Sequence, residues 1–272
     1  MSQHFAAPRK ALGQNFLQDP NIIRKIVASL NIQAGDVVVE IGPGRGALTE
    51  LILPLAHQSH LIEFDRDLAQ YWRERAQTAD NLHVYEQDIL NFDLRTELRD
   101  STASQRLKVI GNLPYNISSP VLFHLMGYAD QVEQQVVMLQ KEVVDRMSAS
   151  PGSKQYGRLS VMLQYRYQIE KLFSVPASAF FPPPKVDSAI ARLTPRDRID
   201  TPAENLDDFG LIVKQAFSQR RKTIRNTLKK HLSAEQLEQQ GVDPACRAET
   251  LAVDSFVRLA NLYSTVKQGH HG

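Results

Sequence analysis

Cysteine is almost missing from this chain of 272 residues: Cys246 stands alone. That excludes a disulfide within the chain and any cysteine-built metal site, and a reducing cytoplasm is the expected setting. No metal is expected. No uninterrupted apolar run approaches a membrane span, and the opening MSQHFAAPRK has no apolar core of signal-peptide length, so neither membrane insertion nor export is expected. Internal repeats and low-complexity tracts are absent. No long apolar heptad pattern calls for a second copy, and a monomer is expected. Charge of one sign is not in excess either, since the net charge is only +2. Its distribution is uneven, however, and that proves more informative than its sum.

Strand-like and helix-like patterns alternate. Asp19-Pro20 reads as an N-cap with Pro in the first turn of a helix, and Ile22, Ile23, Ile26, Val27 and Leu30 follow at helical spacing. Short apolar runs at 36–42, 60–65, 81–88, 107–112 and 135–140 read as strands covered on both faces. Helical patterns at 46–56, 67–77 and 118–128 lie between them. Alternation of this kind predicts a mostly parallel, doubly wound α/β sheet. Two later strand-like pieces, 167–173 and 186–193, flank AFFPPPK and suit an antiparallel edge hairpin. The polar TPRDRIDTPAEN (194–205) reads as a linker. Beyond it, helices are expected at 206–218, 220–232, 234–240 and 254–266. The boundary expected from this pattern divides an α/β domain, 1–195, from a small helical domain, 196–272.

VVVEIGPGRGALTE falls where the first sheet strand meets the next helix. Gly42, Gly44 and Gly46 allow a tight turn and close backbone approach to a ligand, and Gly42, Gly44 and Ala47 satisfy the loose dinucleotide pattern. Glu40 argues against that reading. A carboxylate just before the first glycine is a poor neighbour for a pyrophosphate and a good one for a ligand carrying an ammonium and a sulfonium, such as S-adenosylmethionine. Glu63 ends the second strand at the place where an acid grips ribose hydroxyls. Asp88 ends the third, where it can accept from an adenine amine.

The fourth strand ends in Asn112-Leu113-Pro114-Tyr115. The exocyclic amine of adenine is a weak nucleophile because its lone pair is delocalised into the ring. An acceptor pair, the Asn112 side-chain oxygen with a backbone carbonyl at Leu113 or Pro114, can hold both amine hydrogens and turn the lone pair outward. Tyr115 can stack on the base. No strong base is needed, because the amine turns acidic once it is alkylated, and alignment supplies the main rate term. A base inside a stack cannot reach such a site and must be flipped or unpaired.

GQNFL (13–17), EIGPGRG, IEFD, QDIL, NLPYNIS, KEV and FPPPKVDSA together resemble the ribosomal RNA adenine dimethyltransferases, nearest to the bacterial small-subunit group, over almost the whole chain. The resemblance implies a Rossmann-like class I methyltransferase sheet with a small all-helical C-terminal domain. It implies S-adenosylmethionine as cofactor. The implied products are two dimethylated, adjacent adenosines in the 3′-terminal hairpin loop of 16S ribosomal RNA, within the small subunit or its precursor. By position, Asn15 and Leu17 match an N-terminal lid over the cofactor, Gly42 and Gly44 its loop, Glu63 the ribose acid and Asp88 the adenine contact. Asn112, Leu113, Pro114 and Tyr115 match the target-amine motif. Phe180 matches an aromatic that clamps the base from the other side; Phe181 follows it directly, and the sequence does not choose between them.

Between Phe209 and Ala234 there is no acid, while Lys214, Arg220, Arg221, Lys222, Arg225, Lys229 and Lys230 all fall inside. If helical, the stretch puts Arg221, Arg225 and Lys229 on one face. RNA phosphate is the expected partner, with Arg220 and Lys222 beside that face and Arg9 and Lys10 adding to it from the N-terminal arm. Two other readings compete. One is a large-subunit methyltransferase of the antibiotic-resistance kind; the other is a non-catalytic ribosome-assembly factor, against which the intact Asn112–Tyr115 motif speaks.

Overall fold

The computed structural model describes residues 8–9, 14–99 and 106–269. Its centre is a seven-stranded sheet: β1 (Val37–Ile41), β2 (Gln58–Glu63), β3 (Leu82–Glu86), β4 (Leu107–Asn112), β5 (Val132–Gln140), β6 (Tyr167–Val175) and β7 (Ser188–Pro195). The spatial order is β3-β2-β1-β4-β5-β7-β6. The first five strands are mutually parallel and β7 runs antiparallel to β5. Every residue of β1 is buried, which is why VVVEI shows no polar alternation. On one face Val38, Ile110, Val136 and Ile190 pack with Ile26 and Val27 of the helix Pro20–Ser29. The expected N-cap is formed: the Asp19 carboxylate accepts from the amides of Asn21 and Ile22 at 2.8 and 3.1 Å. Elsewhere Trp72, on the helix Arg66–Ala76, packs with Leu61 and Leu82.

Strand order reverses between β1 and β4, so the chain leaves their carboxyl ends in opposite directions. A crevice opens there, at the position where doubly wound sheets bind ligands. The charge on β4 is also accounted for. Lys108 is buried, pairs with Asp36 at 2.7 Å and donates to the Asn31 carbonyl at 2.8 Å.

Two expectations about elements change, and two further helices appear. The stretch 46–56 yields only the short helix Thr49–Ile52, because Gly44 and Gly46 hold positive φ before it and Pro54 offers no N–H after it. The stretch 220–232 yields only Ile224–Leu228. Thr223 is extended and bridges Arg247, and the Ile224 amide bonds the Cys246 carbonyl, so no helix can run through them. Helices Lys141–Met147 and Arg158–Arg166 were not evident in the pattern. The chain divides into two compact units, Met1–Val144 with Ile169–Pro195, and Asp145–Gln168 with Arg196–Gly272. The segment 145–168, placed in the α/β domain by the sequence, therefore groups with the C-terminal helices. In that second unit the helices Leu206–Ala216 and Val253–Gly269 are tied by buried Asp208, which accepts from Ser264 Oγ at 2.8 Å and Lys267 Nζ at 3.0 Å.

Candidate active site

A cavity of about 690 Å³ opens at the carboxyl ends of β1, β2 and β4. Asn15, Leu17, Gly42, Gly44, Glu63, Asp88 and the tetrad Asn112–Tyr115 all line it, and so does Glu40. The glycine loop makes the near wall. Gly42 and Gly44 sit at φ of +66° and +56°, which side-chain-bearing residues rarely adopt. A Cβ on Gly42 would meet nothing nearer than the Asn112 carbonyl at 4.0 Å, so the backbone faces open space. Gly46 serves packing instead, since a Cβ there would lie 2.6 Å from the Trp72 ring.

Glu40, Glu63 and Asp88 each accept a hydrogen bond in the cavity wall. Glu40 is buried and accepts from Thr49 Oγ1 at 2.7 Å. Burial, reinforced by the nearby Glu63 carboxylate, pushes its pKa up to about 8 against the pull of that hydrogen bond. Burial thus favours its neutral form near neutrality, in place of the fixed anion the sequence suggested. Glu63 accepts from the amides of Asp65 at 2.8 Å and Gly44 at 3.1 Å. Burial raises its pKa and the two amides oppose the rise. Asp88 caps the turn Ile89–Asn91 by accepting from the Leu90 amide at 2.9 Å through Oδ1. Phe64, 61% exposed, and Ile89 also line the cavity on this side. Sequence reading passed over both; their position directly after the strand-end acids Glu63 and Asp88 was the available signal.

The N-terminal arm runs along the rim. Phe16–Leu17 forms a two-residue antiparallel ribbon with Phe180–Phe181, in which Phe16 faces Phe181 and Leu17 faces Phe180. Gln14 Nε2 donates to Asp65 at 2.8 Å, and Arg9 pairs with Asp65 and Asp67. The Arg9 charge expected to meet RNA is thus engaged by two acids, and Lys10 and Gly13 lie outside the described residues. The Phe16 ring lies under the Arg45 guanidinium, 4.3 Å away.

Asn112 ends β4 and its Nδ2 donates to the Asn15 carbonyl at 3.0 Å, which leaves Oδ1 as the outward acceptor. The Pro114 carbonyl accepts from the Ile117 amide at 3.2 Å and Ser118 Oγ at 3.1 Å, so it is occupied by the turn. Of the two carbonyls the sequence left open, that of Leu113 carries no such bond among the described residues. The Leu113 side chain is fully buried and its amide bonds the Met138 carbonyl at 3.1 Å, which anchors the tetrad to β5. Tyr115 is half-buried, with its phenol oxygen 2.6 Å from Ser188 Oγ. Its pKa is raised, chiefly by burial, with the Ser188 bond opposing and Asp187 adding to the rise. The two aromatics of the FPPPK segment part company. Phe180 is 4% exposed and packs in the core with Leu17, whereas Phe181 is 51% exposed.

The ribosomal RNA adenine dimethylase family model matches residues 6–265. The chain belongs to this family. Relatives named ribosomal RNA small subunit methyltransferase A support the same conclusion. The protein from Alcanivorax borkumensis is 49% identical over 254 residues, 93% of this chain and 89% of that one. That from Laribacter hongkongensis is 49% identical over 266 residues, 96% and 97% of the two chains. Among solved structures, a dimethyladenosine transferase from Plasmodium falciparum superposes with a TM-score of 0.75 at 29% identity, covering 93% of this chain and 98% of that one. The 23S rRNA methyltransferase ErmE gives 0.70 at 25% identity, covering 92% and 100%. The α/β sheet and C-terminal helices are thus those of an adenine dimethylase, and the chain is an RNA methyltransferase by family.

The basic stretch lies in the second unit. Ile224 and Leu228 are fully buried and anchor the short helix, while Arg221, Lys222, Arg225 and Lys229 are exposed. Because the helix begins after Thr223, Arg221 is not on the helical face the sequence implied. Arg220 is also exposed but is committed locally, pairing with Glu249 at 3.0 Å and donating to the Lys154 carbonyl.

Proposed function

We propose that this chain transfers methyl groups from S-adenosylmethionine to the exocyclic amines of two adjacent adenosines in the 3′-terminal hairpin loop of small-subunit ribosomal RNA, as part of small-subunit biogenesis. The observation that carries this reading is the Asn112–Tyr115 tetrad on the wall of the cavity, with one amide oxygen and one backbone carbonyl left as acceptors. The names of the relatives at 49% identity favour the small subunit over the large-subunit alternative.

The donor set fits the proposed cofactor. Glu63 has lone pairs beyond its two backbone bonds for ribose hydroxyls, and Asp88 keeps Oδ2 for an adenine amine. Phe64 and Ile89 offer apolar surface to the ring, and Glu40 can ionise beside a cationic group. When bound, S-adenosylmethionine supplies an electrophilic methyl on a sulfonium. The residues of the chain do the rest. Asn112 Oδ1 and the Leu113 carbonyl accept from the two amine hydrogens and direct the lone pair. Tyr115 covers one face of the base. Neither Phe180 nor Phe181 lines the cavity; of the two, only exposed Phe181 has a ring free to cover the other face, while buried Phe180 maintains the core with Leu17. Exposed Arg221, Lys222, Arg225 and Lys229 contact phosphates and position the RNA rather than read its sequence, with Arg220 bracing their loop.

Incubation with S-adenosylmethionine labelled on its methyl tests this reading. Label should enter small subunits that lack the modification, on paired adenosines, and should not enter large-subunit RNA. Entry into large-subunit RNA alone would favour the antibiotic-resistance reading, and no transfer to either would leave an assembly factor.

A further inference from the structure

The FPPPKVDSA segment contributes more than aromatics. Ser188 opens β7 with its side chain fully buried, and its Oγ lies 2.6 Å from the phenol oxygen of Tyr115. Its place is fixed from both sides: it faces Gln140 of β5 in the antiparallel register, and the preceding Asp187 carbonyl accepts from the Lys141 amide at 3.0 Å. The Asp187 carboxylate accepts from the Ala177 amide at 3.1 Å, closing the loop that carries Phe180 and Phe181. A buried hydroxyl on a rigid strand thus meets a half-exposed phenol on a turn. We propose that Ser188 is a positioning residue for methyl transfer, holding the Tyr115 ring in the plane and at the depth that the stacked adenine requires.

The physical basis is directional. A phenolic O–H is conjugated with its ring and lies in the ring plane, so a hydrogen bond at that oxygen restrains both the tip of the side chain and the rotation of its face. Tyr115 follows Pro114 in an irregular turn, where no ladder fixes its χ angles. Without Ser188 the ring could rotate or sink, and a stacked base would follow it out of line with the methyl. Misalignment of that kind lowers the rate of the chemical step more than it lowers RNA affinity, which phosphate contacts dominate.

This inference rests on the reading of the cavity as an adenine methylation site, and the experiment separates the two. The full chain is assayed for single-turnover methyl transfer to small subunits lacking the modification, as wild type, Ser188→Ala, Ser188→Thr, Tyr115→Phe and the Ser188→Ala/Tyr115→Phe double variant. Failure of the wild type to transfer would reject the functional reading and this inference with it, whereas an active wild type with an equally fast Ser188→Ala variant would reject this inference alone. If wild type is active, Ser188→Ala and Tyr115→Phe should each slow transfer about 2- to 10-fold, the loss of one hydrogen bond, with RNA affinity unchanged. The double variant should be no slower than the worse single one, because both remove the same bond. Ser188→Thr, which keeps the hydroxyl, should recover much of the rate. In an RNA hairpin carrying 2-aminopurine at the target position, Ser188→Ala should weaken the quenching caused by stacking. Multiplicative losses in the double variant, or a wild-type rate and quench for Ser188→Ala, would overturn the proposal. Should Ser188→Ala fail to fold, Tyr115→Phe and Ser188→Thr decide the same question: equal slowing by both, or none by Tyr115→Phe, would reject it.

Discussion

Replacing Glu40 by Gln tests the electrostatics of the cavity without any ligand. The amide keeps the shape and can still accept from Thr49 Oγ1, but it cannot ionise. In the folded chain the Glu40 carboxyl titrates at about 8 instead of 4.5, mainly because it is buried, with Glu63 the other charge facing it. Below pH 4.5 the group is neutral folded and unfolded, and its stabilising contribution is fully present. As pH rises past 4.5 the unfolded chain loses the proton while the folded chain keeps it, so stability falls until about pH 8 and is then flat. Over that window the loss is about 5 kcal/mol, at about 1.4 kcal/mol per pH unit. Urea unfolding of wild type and Glu40→Gln between pH 4 and pH 9, followed by Trp72 fluorescence, reads this directly, since Trp72 packs on the same glycine loop. The two proteins should match at pH 4, and the variant should become the more stable by several kcal/mol at pH 9. Titrating groups other than Glu63, which faces Glu40, cancel in the difference. A difference that does not change with pH, or a variant less stable at pH 9, would show that the fold does not raise the pKa of Glu40, and the reasoning would fail. The same protonation predicts that S-adenosylmethionine binding near pH 7 releases a proton in wild type and none in the variant, read as calorimetric heats that depend on the buffer's ionisation enthalpy.

Glu63→Ala should weaken cofactor affinity by roughly 1.5–3 kcal/mol through lost charge-assisted hydrogen bonds, measurable by calorimetry on the folded variant. Phe180→Ala should cost about 3–5 kcal/mol of stability in a denaturant titration, as a large side chain leaving a packed core, whereas Phe181→Ala should leave stability nearly intact and slow methyl transfer. Replacing Arg221, Arg225 and Lys229 together with Gln should flatten the dependence of log RNA affinity on log salt, by about one in slope per lost duplex contact. Cofactor binding should be unaffected by that triple change, and parallel salt titrations for the two proteins would mean the basic surface is merely solvated.

The sheet was legible because buried parallel strands announce themselves as apolar runs, and five of them fall within a few residues of the runs that mark them. The cavity lining was legible because strand ends in a doubly wound sheet have fixed meaning, so Glu63, Asp88 and Asn112 could be placed before the fold was seen. What escaped was decided by contacts distant in sequence. The helix expected over 220–232 is cut by the pairing of Thr223 with Arg247, which no local pattern contains. Segment 145–168 joins the helical unit through contacts such as that of Tyr165 with Phe209, whose ring centroids are 4.7 Å apart. Arg9 and Arg220 looked like free cations because their acids, Asp65, Asp67 and Glu249, lie far along the chain.

The residues proposed to carry the chemistry also hold the site together, and the two jobs fall on different atoms of one side chain. Asp88 spends Oδ1 on the Leu90 amide and keeps Oδ2. Asn112 spends Nδ2 on the Asn15 carbonyl and keeps Oδ1. Truncation to Ala removes both jobs together, so lost activity in Asn112→Ala would not separate a missing acceptor from a released N-terminal arm. Isosteres divide them. Asn112→Asp keeps an acceptor toward the base but sets a carboxylate against the Asn15 carbonyl, and so should loosen the arm. Asp88→Asn keeps the cap at Leu90 while removing the charge that favours an adenine amine. If the division by atoms holds, Asp88→Asn should weaken cofactor binding with no loss of stability. Asn112→Asp should make the arm open to proteolysis near Asn15 while RNA affinity stays at its wild-type value. Loss of stability in the first variant, or an arm as protected as wild type in the second, would mean that the two atoms of each side chain do not act separately.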